Sequence, residues 1–276
     1  MSQSSALLSD CRFEDNSFPG GFEGGAFSAE GSAVDVVRCY FARNSCGYSG
    51  GAIAAGTNAD LQIDSCSFVE NSATNGGAIA VIFAQATITN SRFQGNTAGS
   101  GGALFCYDQA SMTVTGSTFV GNIADTKGGG AVVDYNAWLV VRSSTFFGNR
   151  ASDGAGLHQA LGALTVENTI IAASLQGGAF ACSQPVDPII RCSDFHGNVG
   201  GNWISCATGF LGVGGNVSAD PLFCDPSGGN FRLNEGSPCA PEHSGGCELI
   251  GAWPVDCGAT PVEPTTWGAL KHAFSH

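Results

Sequence analysis

Gly76-Gly77-Ala78-Ile79, then Ser91-Arg92-Phe93-Gln94-Gly95-Asn96, then Gly101-Gly102-Ala103-Leu104 follow one another in one stretch of the chain, and their spacing decides the fold. Both phrases return. A Phe followed three residues later by Asn occurs at Phe13/Asn16, Phe41/Asn44, Phe68/Asn71, Phe93/Asn96, Phe119/Asn122, Phe146/Asn149 and Phe195/Asn198, with a degenerate copy at Ile171/Ser174. Gly-Gly-Ala plus an apolar residue occurs at Gly24-Gly25-Ala26-Phe27, Gly50-Gly51-Ala52-Ile53, Gly129-Gly130-Ala131-Val132 and Gly177-Gly178-Ala179-Phe180 as well, with a worn copy at Gly154-Ala155-Gly156-Leu157. Successive copies of the Phe position lie 24 to 28 residues apart, the period of a solenoid.

Spacing within the unit supplies geometry. Five residues before each Phe (or Ile171) stands an aliphatic residue: Leu8, Val36, Ile63, Ile88, Val114, Val141, Val166 and Ile190. Two before it stands a small one: Cys11, Cys39, Cys66, Ser91, Ser117, Ser144, Thr169 and Ser193. Alternate side chains of an extended segment share a face, so the small residue and the Phe point the same way. The odd spacing from aliphatic to small residue requires a bend between two short strands. The chain therefore reads as an all-β protein, a right-handed parallel β-helix of about eight coils stacked ~4.8 Å apart. Each Phe buried in such a stack contributes roughly 1.5–3 kcal/mol. The Asn residues are expected to bond to one another and to the turn backbone, and the Gly pairs to permit positive φ or close approach.

Composition bounds the function. The net charge of −13 and only two lysines, Lys127 and Lys271, argue against a nucleic-acid partner. No stretch is long and apolar enough for a transmembrane helix, and the opening residues carry no signal-peptide pattern. Twelve cysteines point to an oxidising compartment, with the protein outside the cell or on its surface. The sequence leaves the oligomeric state open.

The paired Gly-Gly-Ala-Ile and Phe-x-x-Asn motifs resemble the repeats of the chlamydial polymorphic outer membrane proteins and, more broadly, bacterial right-handed β-helix repeat proteins. The resemblance covers roughly residues 8–200 and implies an exported, adhesin-like or surface passenger. No run of alternating strands follows that would form an autotransporter barrel. Asn216-Val217-Ser218-Ala219-Asp220-Pro221-Leu222-Phe223, with Phe231-Arg232-Leu233, Gly236-Ser237-Pro238 and Ile250-Gly251-Ala252, is similar to the closing segment of many secreted bacterial β-helix proteins. The expected organisation is repeats over 1–200, final irregular coils and a cap over 201–258, and a linker and tail over 259–276. Trp267 to Phe274 in the tail could form a short amphipathic segment. Cys206, Cys224, Cys239, Cys247 and Cys257 fall in the cap, with Cys182 and Cys192 just before it, so disulfides of undetermined pairing should hold it. Cys11, Cys39 and Cys66 read as a column of buried thiols rather than a metal site.

One polar cluster is not explained by the repeat. After the Gly-Gly-Ala phrase come Cys106-Tyr107-Asp108-Gln109, Asp134-Tyr135-Asn136 and His158-Gln159 in consecutive coils. Aligning the phrases places Tyr107 over Tyr135 and Asp108 over Asn136. Aromatic rings beside carboxylates suit sugar recognition, so Tyr107, Asp108, Asp134, Tyr135, Asn136, His158 and Gln159 are the candidate ligand-binding residues. Asp108, Asp134 and His158 are the candidates for acid and base. The competing explanation is an ordinary solvated face. No metal or cofactor is expected from the residue spacing, with calcium left open. Two functions follow: a non-catalytic scaffold binding glycan or protein partners, or a polysaccharide lyase or glycoside hydrolase acting on an acidic polysaccharide.

Overall fold

The computed structural model describes residues 4–21, 23–184 and 187–257, so the expected tail lies outside the described residues. The protein is a parallel β-solenoid of about seven turns, each passing through up to four short strands. An aliphatic wall of eight strands runs from Ser4–Ser9 to Ile189–Arg191, and a phenylalanine wall of eight runs from Arg12–Glu14 to Asp194–His196. A short wall of five strands spans Ser17–Phe18 to Ile123–Lys127, and a glycine wall of seven spans Phe27–Glu30 to Phe180–Cys182.

The expected columns are in register. Leu8, Val36, Ile63, Ile88, Val114, Val141, Val166 and Ile190 pair in succession along the aliphatic wall. Phe13, Phe41, Phe68, Phe93, Phe119, Phe146, Ile171 and Phe195 do the same along the phenylalanine wall. From Phe13 to Phe146 the rings lie parallel within 5°, with centroids 4.3–4.9 Å apart. The rung spacing sets that separation, and the apolar ring area removed from water holds it.

The bend before each Phe strand is a left-handed residue, such as Arg38, Ser65 or Asn90 at φ 50–55°. Such a conformation is costly for a non-glycine residue, so neighbouring bonds must hold it. The small column supplies them. Ser91 Oγ donates to Thr89 O at 2.8 Å and accepts the Cys66 backbone N–H at 3.1 Å, and the thiols of Cys39 and Cys66 occupy the same place. Beyond the Phe, the Asn residues form the expected ladder. Asn71 Nδ2 donates to Phe41 O in the preceding coil (3.1 Å) and to Asn96 Oδ1 in the next (3.0 Å), and Asn71 N–H donates to the same Oδ1. The two glycines of a pair differ in role: Gly50 sits at φ +67°, whereas a Cβ on Gly51 would meet Gly77 O at 2.0 Å.

The alignment at Gly129-Gly130-Ala131 needs correction. Leu104 pairs with Ala131, not Val132, so the glycine pair of that coil is Gly128-Gly129. A bulge inserts one residue between Ala124 and Lys127 opposite Ala98–Ser100, and every later residue of the coil moves by one place. The third glycine, Gly130, takes the Ala position because a Cβ there would press on the Phe146 ring at 2.5 Å.

The cap region divides into two devices. Residues 199–217 plug the end of the solenoid: Trp203 stacks on Phe195 with centroids 4.2 Å apart, and its indole N–H donates to Val217 O. Residues 218–257 instead turn back along the outer side of the phenylalanine wall as a lateral brace. Gly251 N–H donates to Asn168 O, Ala252 N–H to Thr145 Oγ1, and Trp253 Nε1 to Thr118 Oγ1, each within 3.0 Å. Leu233, Cys239 and Ile250 cover Ile170 and Ala172. The disulfides are Cys182–Cys206 into the plug, Cys192–Cys247 from coil to brace, and Cys224–Cys257 within the brace. Cys239 stays a buried thiol. Three disulfides point to a non-cytoplasmic environment. No helix among the described residues is long and apolar enough to cross a membrane.

Candidate functional site

The candidate residues lie where the glycine wall turns into the aliphatic wall. In successive coils this corner is Phe83-Ala84, Asp108-Gln109-Ala110, Tyr135-Asn136-Ala137 and Ala160-Leu161-Gly162, between strands already in register. Ala84, Ala110 and Ala137 are buried and seat the turn. The residues before them project outward. Asp108 and Gln109 both have positive φ, as do Tyr135 and Asn136, and Phe83 does so alone in its shorter turn. Asn and Asp tolerate that region because their short polar side chains can bond locally, but bulky rings do not. Phe83 and Tyr135 are the only aromatic residues at positive φ among those described.

Nor do these rings serve the core. Phe83 is 45% exposed, Tyr135 46%, Leu161 49%, and Trp138, at the start of the adjoining aliphatic strand, 51%. Tyr107 is half-buried and stacks against Phe105 on one side (5.6 Å) and Tyr135 on the other (5.7 Å). The corner thus carries a ridge of apolar and aromatic side chains, interrupted by Asp108 between Phe83 and Tyr135. Isolated exposed apolar side chains are ordinary, and several on one corner make it the candidate contact surface of the described residues.

Because of the one-residue shift, Tyr107 sits opposite Asp134, and Asp108 opposite Tyr135 rather than Asn136. The two tyrosine rings still meet through their side chains. Asp134 Oδ1 accepts the Tyr135 backbone N–H at 2.8 Å. Partial burial, followed by the carboxylates of Asp108 and Asp134, pushes the Tyr107 phenol up, so it stays neutral and able to donate. Among the described residues neither carboxylate of the corner is in a salt bridge. No group of three or more His, Cys, Asp or Glu that could hold a metal occurs among the described residues.

His158 and Gln159 are placed differently. His158 pairs with Val132 and Gln159 with Val133, and both are fully buried. Gln159 points into the solenoid, where Nε2 donates to Gly162 O at 2.9 Å. His158 lies under an exposed serine that the sequence did not single out, with Ser183 Oγ 3.0 Å from Nε2. Asp153 Oδ2 is 3.3 Å from that same nitrogen, while Nδ1 is buried without a partner. A serine-histidine-acid relay needs its serine and acid on opposite ring nitrogens, which this arrangement does not provide. Burial holds the imidazole below its usual range, opposed by the Asp153 carboxylate, and favours the neutral ring.

The sequence singled out Tyr107, Asp108, Asp134, Tyr135 and Asn136, which the structure places at this corner, and did not single out Phe83, Trp138 and Leu161 beside them. These three fall outside the polar cluster that drew attention. A usable signal was present: a large apolar residue immediately before or after the inward Ala of the corner has no core position to fill.

No curated protein and no solved structure matches the chain. A family model described as a right handed beta helix region matches residues 1–171, more than half of the sequence and most of the coils. Registered parallel walls, a repeating core and that match agree, and the chain belongs to the right-handed β-helix family.

Proposed function

We propose that this protein is a non-catalytic, surface-exposed β-helix scaffold, adhesin-like, that binds a glycan or protein partner through the corner ridge of Phe83, Tyr107, Tyr135, Trp138 and Leu161, flanked by Asp108, Asp134 and Asn136. The observation that carries this reading is the pair of exposed rings, Phe83 and Tyr135, held at positive φ where they contribute nothing to the core. Backbone strain retained at an exposed aromatic residue is the pattern of a site kept for contact. Three disulfides and the resemblance to exported repeat proteins support an extracellular or surface location. The family also accommodates polysaccharide-acting enzymes, but His158 is fully buried, with its Nε2 engaged by Ser183 and Asp153.

The test pairs binding with turnover. Phe83→Asn and Tyr135→Asn remove the rings yet suit a left-handed corner, where Asn58 and Asn136 already stand. The double variant should keep the parent Tm and lose retention on immobilised glycans and on intact cell surfaces. Unchanged retention would remove the ridge from the site. Incubation with polyuronates, with and without calcium, should release neither unsaturated products nor reducing ends. A product signal abolished by Asp134→Asn would replace the scaffold reading with a lyase or hydrolase.

A further inference from the structure

We infer that the ridge takes a linear polysaccharide of uncharged or amino-bearing pyranose rings, laid parallel to the solenoid axis, and discriminates against polyuronates. This rests on the corner being the binding site. It adds the ligand's charge, its polymer form and its direction.

Form and direction follow from the coil spacing. Phe83 and Tyr135 occupy equivalent corner positions two coils apart, with Asp108 between them and Leu161 in the coil after Tyr135. At ~4.8 Å per rung, the two exposed rings are roughly 10 Å apart along the axis. That is the length of one disaccharide unit of an extended chain, so alternate sugars can rest against the two aromatic side chains. The carbon-bound hydrogens of a pyranose face pack on an aromatic ring, while its hydroxyls project sideways. Asp108, Gln109, Asp134 and Asn136 flank the ridge with acceptors and amide donors for those hydroxyls. The ridge is about three residues wide and four coils long. Such a strip falls short of the ~800 Å² per partner that a specific protein interface usually covers.

Charge follows from the carboxylates. Asp108 and Asp134, both half-buried at the corner, have no salt-bridge partner, and the arginine nearest along the adjoining strand, Arg142, is engaged by Glu167 at 2.7 Å. With a net charge of −13 behind them, they repel a chain bearing a carboxylate on each sugar. A neutral sugar meets them as hydrogen-bond acceptors, and an amino sugar also as counter-charges.

The experiment is a retention panel using the whole protein, with insoluble chitin, chitosan, cellulose and mannan set against polygalacturonate and alginate, at low and moderate salt. The expected result is retention on at least one neutral or amino polysaccharide, and none on the polyuronates. Tyr135→Asn should weaken retention by about tenfold, the scale of one lost stacking contact with the bonds it orients. Asp108→Asn with Asp134→Asn should weaken chitosan retention more than retention on a neutral chain, and raising salt should mimic the change. Preferential retention on a polyuronate, lost in Tyr135→Asn, overturns this inference and leaves the corner as a site. So does ridge-dependent capture of a basic protein with no retention on any polysaccharide. Retention that no ridge variant alters overturns both the inference and the corner.

Discussion

The coils from Phe13 to Phe146 and the segment after Phe195 solve the same problem, covering a stack of aromatic rings, by opposite means. In the coils, each new rung repeats the last. Its Phe lies flat on the previous ring, its Asn continues the amide ladder, and its small residue ties the bend. Nothing outside the repeat is needed. At the far end there is no next rung, so Trp203 folds back from a loop to take the place of the missing ring. The chain then leaves the stack altogether and braces the outside of the phenylalanine wall, secured by Cys192–Cys247. Repetition suffices where a coil has neighbours on both sides, and it fails at a terminus. A terminal device must satisfy the last rung without offering an edge for further stacking.

The contrast is sharpest in the ring column. Phe93 is fully buried between two parallel rings, whereas Trp203 is only half-buried and has a ring on one side. Phe93→Ala should destabilise by about 3–5 kcal/mol, because rigid rungs cannot collapse into the cavity. Trp203→Ala should cost less, about 2–3 kcal/mol, and expose the last coils first. Guanidinium unfolding gives the totals, and hydrogen exchange shows where protection is lost. Equal costs with identical exchange patterns would mean that plug and coils unfold as one unit, erasing the distinction.

The joint between the last Phe strand and the brace has a pH dependence of its own. Asp194 lies on the outer side of the last Phe strand, where burial pushes its carboxyl up to about 7 against the opposing hydrogen bonds from Ala219 N–H and the Cys239 thiol. In the unfolded chain this group ionises near the ordinary aspartate value of 3.8. The folded state therefore binds the extra proton between those limits. Stability from this site is fully present below about 3.8, falls as pH rises through about 7, and is flat above. The expected loss is on the order of a few kcal/mol. Asp194→Asn should flatten the fall in Tm between pH 5 and about 8 that parent protein shows. A variant whose Tm profile runs parallel to the parent's through this range would refute a protonated Asp194.

How much of this was legible follows the same division. The Phe, Asn, aliphatic and small columns could be read residue by residue, because a period repeated many times is self-checking. The bulge between Ala124 and Lys127 sets Tyr107 opposite Asp134, and because Gly128-Gly129-Gly130 fits the phrase in two registers, the sequence alignment runs one residue too far and sets Tyr107 over Tyr135. Trp203 carries no periodic signal, being only eight residues beyond Phe195. The brace left a faint trace in the outward positions of the Phe strands, where Arg12, Tyr40, Ser67 and Arg92 give way to Thr118, Thr145 and Ile170 and the large polar side chains end. Its path was not legible, because it depends on contacts such as Trp253 with Thr118, distant in sequence. At the corner, polarity revealed Asp108 and Asp134. Phe83 and Trp138 look like core residues until the register shows that they face outward.

The amide ladder offers the mildest and most local test, because the repeat itself contains a defect. Asn96 accepts from Asn71, donates to Phe68 O and donates to Asn122 Oδ1. Asn149 accepts from Asn122 and donates to Phe119 O, but Ser174 stands in the next coil where the following Asn would be. Removing Asn96 should therefore cost about 2–4 kcal/mol, and removing Asn149 less, since fewer buried groups lose partners. The converse substitution is the finer probe. Ser174 is buried, follows Ala173 at φ 54°, and already sends its backbone N–H to Asn198 Oδ1 at 3.0 Å, as a ladder residue does. In Ser174→Asn the new carbonyl can accept from Asn149 while the new amide donates to Asn198. The result should be a gain of about 0.5–1.5 kcal/mol, read as a rise in Tm. A loss of stability would show that the coil around Ile171 has repacked its corner for serine, so that the degenerate copy is an adapted rung and belongs with the terminal devices.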